Sequence, residues 1–325
     1  MKALKGEQIS KFLSKYAIYL ILVVMIVTMT ILKPDNFPTW PNFRNILRQM
    51  TTVGIIAIGA TFPIISGGID ISCGSMVGLY SVIVAQFAHP GSDGVSGEYP
   101  LVVPILITLA IGATVGLIIG AIISYGKVPP FIVTLGMLYV GRGMAMVVSN
   151  GKIISNLTDE FNFIGGGSVL GVLPVPIIIF ALCGVIGYII LHRTKFGAHV
   201  FAIGGNANAA RVSGINIKKA TALVYVIAGI LTSVAAIVIT SREQSGQPGG
   251  GVGYEMQAIT CVIVGGCSFS GGSGTILGTI TGAIIIGILY NAMTLLYIDP
   301  YWQMVTLGAI LIFAVMIDSM KKRKE

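Results

Sequence analysis

A chain of 325 residues with 54% hydrophobic and only 10% charged side chains, and a mean hydropathy of +0.90, is too apolar for a water-soluble domain of ordinary composition. Its net charge of +8 does not mark a nucleic-acid binder, because the basic residues cluster beside apolar stretches, where they set topology. The composition is that of an integral membrane protein.

Lys2, Lys5, Lys11 and Lys15 lead into an apolar run without a small-residue cleavage site, so the first span is expected to be a retained signal anchor. A helix needs about 20 apolar residues to cross the hydrocarbon. Ten candidates follow in order, near 16–32, 48–66, 71–88, 101–124, 131–149, 174–191, 219–241, 254–267, 275–297 and 301–318. The expected fold is therefore all-α, a polytopic membrane protein forming a single transmembrane domain over 1–325. The 43 glycines, about twice the ordinary share of ~7%, anticipate helices packed backbone against backbone. With both termini cytoplasmic, residues 1–15, Lys127, the 192–218 loop and the tail Lys321, Lys322, Arg323 and Lys324 all lie inside, as the positive-inside rule requires.

Between the second and third candidates stands SGGIDISCGS, from Ser66 to Ser75. A helix broken there exposes backbone groups that lipid cannot satisfy, so the break must face protein or a watery cavity. Asp70 caps the helix restarted after the motif, faces a transport path, or carries protons; these readings stay open on the sequence alone. Arg142, between Gly141 and Gly143 in the fifth candidate, is the other charge placed within a span and needs a partner or water.

The 192–218 loop has helix punctuation at its centre: Asn206 as N-cap, a body that includes Ala207, Ala209, Ala210 and Arg211, and Ser213-Gly214 as stop. Two turns of helix are marginal alone in water. The segment either docks on a partner or is an ordinary solvated loop.

Gly265 to Ser273 reads GGCSFSGGS and repeats the pattern of Gly67 to Ser75 at an offset of 198 residues. The same offset lays span one on seven and span four on ten, which predicts two parallel pseudo-repeats, about 16–124 and 214–322, with broken helices at both GG motifs. Ser268 stands where the first copy has Asp70, and Ser caps a helix but cannot titrate in this range. The candidate path residues are Asp70, Ser72, Ser75, Ser268, Ser270 and Ser273.

No G-x-x-x-x-G-K-[ST] phosphate loop occurs, so energy has to come from a partner or an ion gradient. Cys73, Cys183, Cys261 and Cys267 show neither CxxC nor metal-ligand spacing and read as packing residues. No cofactor, metal or catalytic residue is expected in the chain.

GGIDISCGS, the loop GGNANAARVSGI, SFSGG and DPYWQ at Asp299 to Gln303 together resemble the permease subunits of bacterial sugar ABC importers, of the ribose and methyl-galactoside type, over nearly the whole chain. The resemblance implies a multi-pass permease of the bacterial inner membrane that works as a homodimer among membrane lipids and carries a monosaccharide of the galactose, glucose or ribose class inward. It implies a partner ABC ATPase that holds ATP and magnesium, and a periplasmic or extracytoplasmic sugar-binding protein. Residues Asn206 to Gly214 would then be the helix that couples to the ATPase. The alternative is an ion-coupled secondary sugar transporter.

Overall fold

The computed structural model describes residues 18–90 and 99–322. The basic stretch before Ile18 and the tail residues Arg323 and Lys324 lie outside the described residues. In chain order the elements are α1 (Ile18–Leu32), α2 (Trp40–Ile65), α3 (Cys73–Ala88), α4 (Val102–Gly126), α5 (Pro130–Ser149), β1 (Ile154–Ser155), α6 (Asp159–Gly166), β2 (Ser168–Val169), β3 (Leu173–Pro174), α7 (Val175–Arg193), α8 (Lys195–Gly205), α9 (Ala207–Val212), α10 (Ile217–Glu243), β4 (Ser245–Gly246), α11 (Tyr254–Val264), α12 (Ile276–Leu295) and α13 (Pro300–Lys322).

Each of the ten apolar stretches carries a helix. Seven are long and apolar enough to cross a membrane, while α1 over its described residues, α3 and α11 are shorter. Local chemistry sets the ends. The Thr39 hydroxyl caps α2, and the Thr275 hydroxyl accepts the Gly278 N–H at 2.9 Å to start α12. Two helices were not expected: α6, anchored by Ser241 Oγ, which donates to the Phe161 carbonyl and accepts the Gly165 N–H, both at 2.6 Å, and α8, started by Thr194.

The core is built on α10, which crosses α4, α2 and α3. On α4, Gly112, Gly116 and Gly120 recur every four residues and form a strip without side chains. A Cβ on Gly112 would stand 2.7 Å from the Gly229 carbonyl oxygen, one on Gly120 2.7 Å from Ala222, and one on Gly116 would overlap the Tyr225 carbonyl. The two backbones therefore touch, as the glycine content anticipates. Gly116→Leu is expected to separate them at a cost of about 3 kcal/mol or more, because the obstruction is main chain and cannot move aside; a lowered thermal unfolding midpoint of the purified chain measures it.

Pairing of the elements reveals how the halves are related. α2 packs on α12 as α10 packs on α4; α3 meets α5 as α11 meets α13; α3 lies against α10 as α11 lies against α2. These pairs map α2–α5 onto α10–α13, not α1–α4 onto α10–α13 as the 198-residue offset does. α2 and α10 also run in opposite senses: Arg242 reaches the Arg48 carbonyl at 3.0 Å, whereas Gly59 lies on Ala228 and Leu231. The correspondence that the packing follows is thus inverted rather than parallel. The segment ahead of α3, residues 66–72, corresponds to the one ahead of α11, residues 247–253. The GG copy at 265–273 instead forms the turn from α11 into α12.

Candidate translocation site

Asp70 lines a tight crevice of ≈ 10 Å³, room for about one water, with Gly116 and Ile119 of α4 and with Tyr225, Gly229 and Thr232 of α10. These residues lie near the midpoints of the two long helices, so the start of α3 is about halfway through the membrane. The chain reaches it by turning back from Ile65 through an extended segment, and α3 then runs toward the C-terminal end of α10, with Thr240 donating to Ser81 at 2.8 Å. Asp70 Oδ1 accepts the Ser72 N–H at 2.9 Å and the Ser72 hydroxyl at 2.6 Å. This is a turn bond within the segment ahead of α3, whose N-cap Ser72 itself makes no side-chain cap bond. Ser75 Oγ donates to the Ser72 carbonyl at 2.8 Å. Asp70, Ser72 and Ser75 are all buried.

The second half has the inverted counterpart. After β4 pairs with β1, residues 247–253 descend and α11 begins. Arg142 of α5 holds this descent: its Nη1 donates to the Pro248 carbonyl at 2.7 Å and the Gly250 carbonyl at 2.8 Å. Glu255, in the first turn of α11, interacts electrostatically with Arg142. A Cβ on Gly74 would stand 2.6 Å from the Gly251 carbonyl oxygen and collide with the Glu255 carboxylate. The N-termini of two short helices therefore meet in mid-membrane, where their aligned dipoles favour the carboxylates of Asp70 and Glu255.

Beside α11 opens a larger chamber of ≈ 220 Å³, whose polar lining is Gln49 of α2, Arg242 of α10, Tyr254 and Gln257 of α11, Tyr290 of α12 and Gln303 of α13. Its character is that of a small-molecule site, a few polar groups converging among apolar walls. Neutral amides and phenols donate and accept hydrogen bonds without demanding a charged ligand, which suits a polyhydroxylated solute. Of these residues only Gln303 belongs to a motif noted in the sequence. The available signal was the presence of glutamines in otherwise apolar spans.

At the end of the bundle that carries α9 the two glycine motifs come together. The Gly272 N–H donates to the Ile65 carbonyl at 2.8 Å, and a Cβ on Gly271 would stand 2.9 Å from the Gly67 nitrogen. Gly67 and Gly271 both have φ of +82°, a conformation that a side chain disfavours. Gly204, near the end of α8, closes the cluster, 2.6 Å from the Gly272 nitrogen as measured from its Cβ position. Ser268 does not cap α12. Its hydroxyl donates to Asp318 at 2.9 Å, and its amide donates to the Ser273 carbonyl at 3.0 Å. Ser270 and Ser273 are exposed in the same turn.

α9 follows the glycine cluster directly. Asn206 Oδ1 accepts the Asn208 and Ala209 N–H groups, both at 3.0 Å, and Ser213 and Gly214 end the helix through bonds to Ala209 and Arg211, with Gly214 at φ +82°. Ala210 faces inward among Ile203 and Ala220, while Ala207, Ala209 and Arg211 are exposed and Val212 is 91% exposed. Among the described residues no group of His, Cys, Asp and Glu could hold a metal ion.

The model of the family described as branched-chain amino acid transport system / permease component matches residues 42–315. The chain is 40% identical to the ribose import permease of Haemophilus influenzae over 316 residues, covering 96% of this chain and 95% of that one. It is 36% identical to the galactose/methyl galactoside import permease of Escherichia coli over 333 residues (99% and 98%) and 32% identical to the D-allose transport system permease of Escherichia coli over 307 residues (94% and 92%). No solved structure matches the chain. Together with an all-α, multi-pass architecture, these similarities place the chain in the permease family of bacterial sugar ABC importers.

Proposed function

We propose that this chain is the membrane-spanning half of an ATP-driven importer in the bacterial cytoplasmic membrane, with both termini inside, and that it carries a monosaccharide inward as one of a pair of identical permeases. The observation that carries the reading is that the exposed helix α9 follows directly on Gly204 and Gly205 of α8, which pack into the glycine cluster from which the chain climbs to Asp70. The relatives are named as permeases for ribose, galactose/methyl galactoside and D-allose, which supports a monosaccharide as cargo. They give an ion-coupled mechanism no support.

In this mechanism a sugar-binding protein docks on the outer face, where α6 presents Asp159 and Glu160 at its start. The sugar is released toward Gln49, Gln257 and Gln303. On the inner face α9 docks in a groove of the ATPase through its small side chains, and the ATPase holds magnesium and ATP. Closure of two ATPases pushes α9, and α8 passes that displacement through Gly204 to Ile65 and Gly272. The two short helices then shift against each other. Asp70, Ser72 and Ser75 on one side of the glycine cluster, and Ser268, Ser270 and Ser273 on the other, mark the way to the inner exit.

The test is co-purification followed by transport. The tagged chain should bring down an ATPase subunit, and one sugar-loaded binding protein should stimulate ATP hydrolysis by the reconstituted assembly. Sugar uptake by the chain alone in liposomes, driven by a proton or sodium gradient without ATP, would overturn the proposal. Gln257→Ala and Gln303→Ala should each lower uptake about 3- to 10-fold, as expected for the loss of a neutral hydrogen bond of about 1 kcal/mol. Wild-type uptake in the double variant would move the sugar path away from the chamber.

A further inference from the structure

At the inner end of α4 a groove of ≈ 460 Å³ is lined by Ser124, Lys127, Arg211, Ile215, Asn216, Ile217 and Lys218. Three cations from three separate segments converge here. The Lys218 ammonium stands 5.2 Å over the Tyr125 ring, which fixes it toward the membrane surface. Lys127 is held at the end of α4 in the left-handed conformation, with φ of 55°. Ser124 Oγ is shut off from solvent and has no hydrogen-bond partner. The N-terminus of the 27-residue helix α10 also opens here: Asn216 Oδ1 takes the Lys219 N–H, while the Ile217 and Lys218 amides have no acceptor among the described residues. From the groove an exposed apolar strip runs up α4 through Tyr125, Ile122, Ile118 and Leu117. Cations and free amides at the end of the span, continuous with an apolar track, match a phosphate joined to acyl chains.

We infer that this groove binds the headgroup of an anionic phospholipid, with the acyl chains lying along α4. The apolar strip favours a lipid over a soluble phosphate or an acidic protein surface, neither of which would cover it. The experiment uses the full chain in detergent, equilibrated with mixed phosphatidylglycerol and phosphatidylcholine and analysed by native mass spectrometry. The wild type should retain phosphatidylglycerol over phosphatidylcholine by about tenfold or more, and Lys127→Gln/Lys218→Gln should lose that preference. The outer-face control Lys33→Gln/Lys152→Gln should keep it. Independently of any variant, phosphatidylglycerol should protect Lys127 and Lys218 of the wild type from amine acylation. Parity between the two lipids in the wild type, or an undiminished preference in the inner double variant, would overturn the inference. So would equal protection by inorganic phosphate alone, which would make the site one for a free anion, or protection that needs the ATPase subunit, which would assign the groove to that interface.

Discussion

Arg142→Leu should reduce sugar uptake about 100-fold or more while the chain still inserts in the membrane. The guanidinium makes two charge-assisted bonds, to the carbonyls of Pro248 and Gly250, which tie the descending segment to α5. Each such bond contributes about 1.5–3 kcal/mol, and every 1.4 kcal/mol is a factor of ten. Leucine removes both donors and leaves two main-chain acceptors without partners at a depth where lipid offers none. Residues 247–253 would then lose their seat on α3, where the Gly78 Cβ position stands 3.0 Å from each of the same two carbonyl oxygens. The start of α11, with Tyr254 and Gln257, would move out of the chamber. Arg142→Lys should fall between wild type and Arg142→Leu, because an ammonium supplies charge but not the rigid planar fork. Expression-matched uptake, together with limited proteolysis in the 247–253 segment, measures both effects. Uptake at the wild-type rate in Arg142→Leu would show that this bridge is not needed.

The helices, the short α9 among them, were legible in the sequence because their determinants are local. An apolar run of about 20 residues announces a span wherever it packs, and Asn206 with Ser213-Gly214 delimits α9 through bonds that reach no further than four residues. The relation between the halves was not legible in the same way. The letters shared by 67–75 and 265–273 reflect a shared demand, a backbone that turns tightly where other backbones press against it, and both segments meet that demand by touching each other. The inverted correspondence joins 66–72 to 247–253, whose sequences share little beyond glycine. One side restarts its helix through Asp70 and Ser72, whereas the other relies on Arg142 from a neighbouring helix. The chamber was hidden for a different reason. Charge in a span is costly and draws notice, but Gln49, Gln257 and Gln303 are neutral and lie on three helices, so only the packing of α2, α11 and α13 brings them together.

Two substitutions less than ten residues apart should separate binding of the ATPase from use of its energy. Ala209 is exposed on α9, and a bulky anion there, Ala209→Glu, should prevent the helix from entering a close-fitting groove. The ATPase is then lost on purification and uptake falls about 100-fold or more, an effect of about 3 kcal/mol. Gly204→Val acts behind the docking surface. Its side chain would occupy the space of the Ile65 carbonyl and break the 2.8 Å bond from the Gly272 N–H to that oxygen. α9 keeps its caps and its exposed face, so the ATPase should still co-purify and hydrolyse ATP, whereas uptake and its stimulation by the sugar-binding protein should drop at least about tenfold. The contrast is the critical result, because a general loss of folding would remove both activities from both variants. If Ala209→Glu keeps its ATPase, α9 is not the docking element. If Gly204→Val transports normally, displacement of α9 reaches Asp70 by some route other than the glycine cluster.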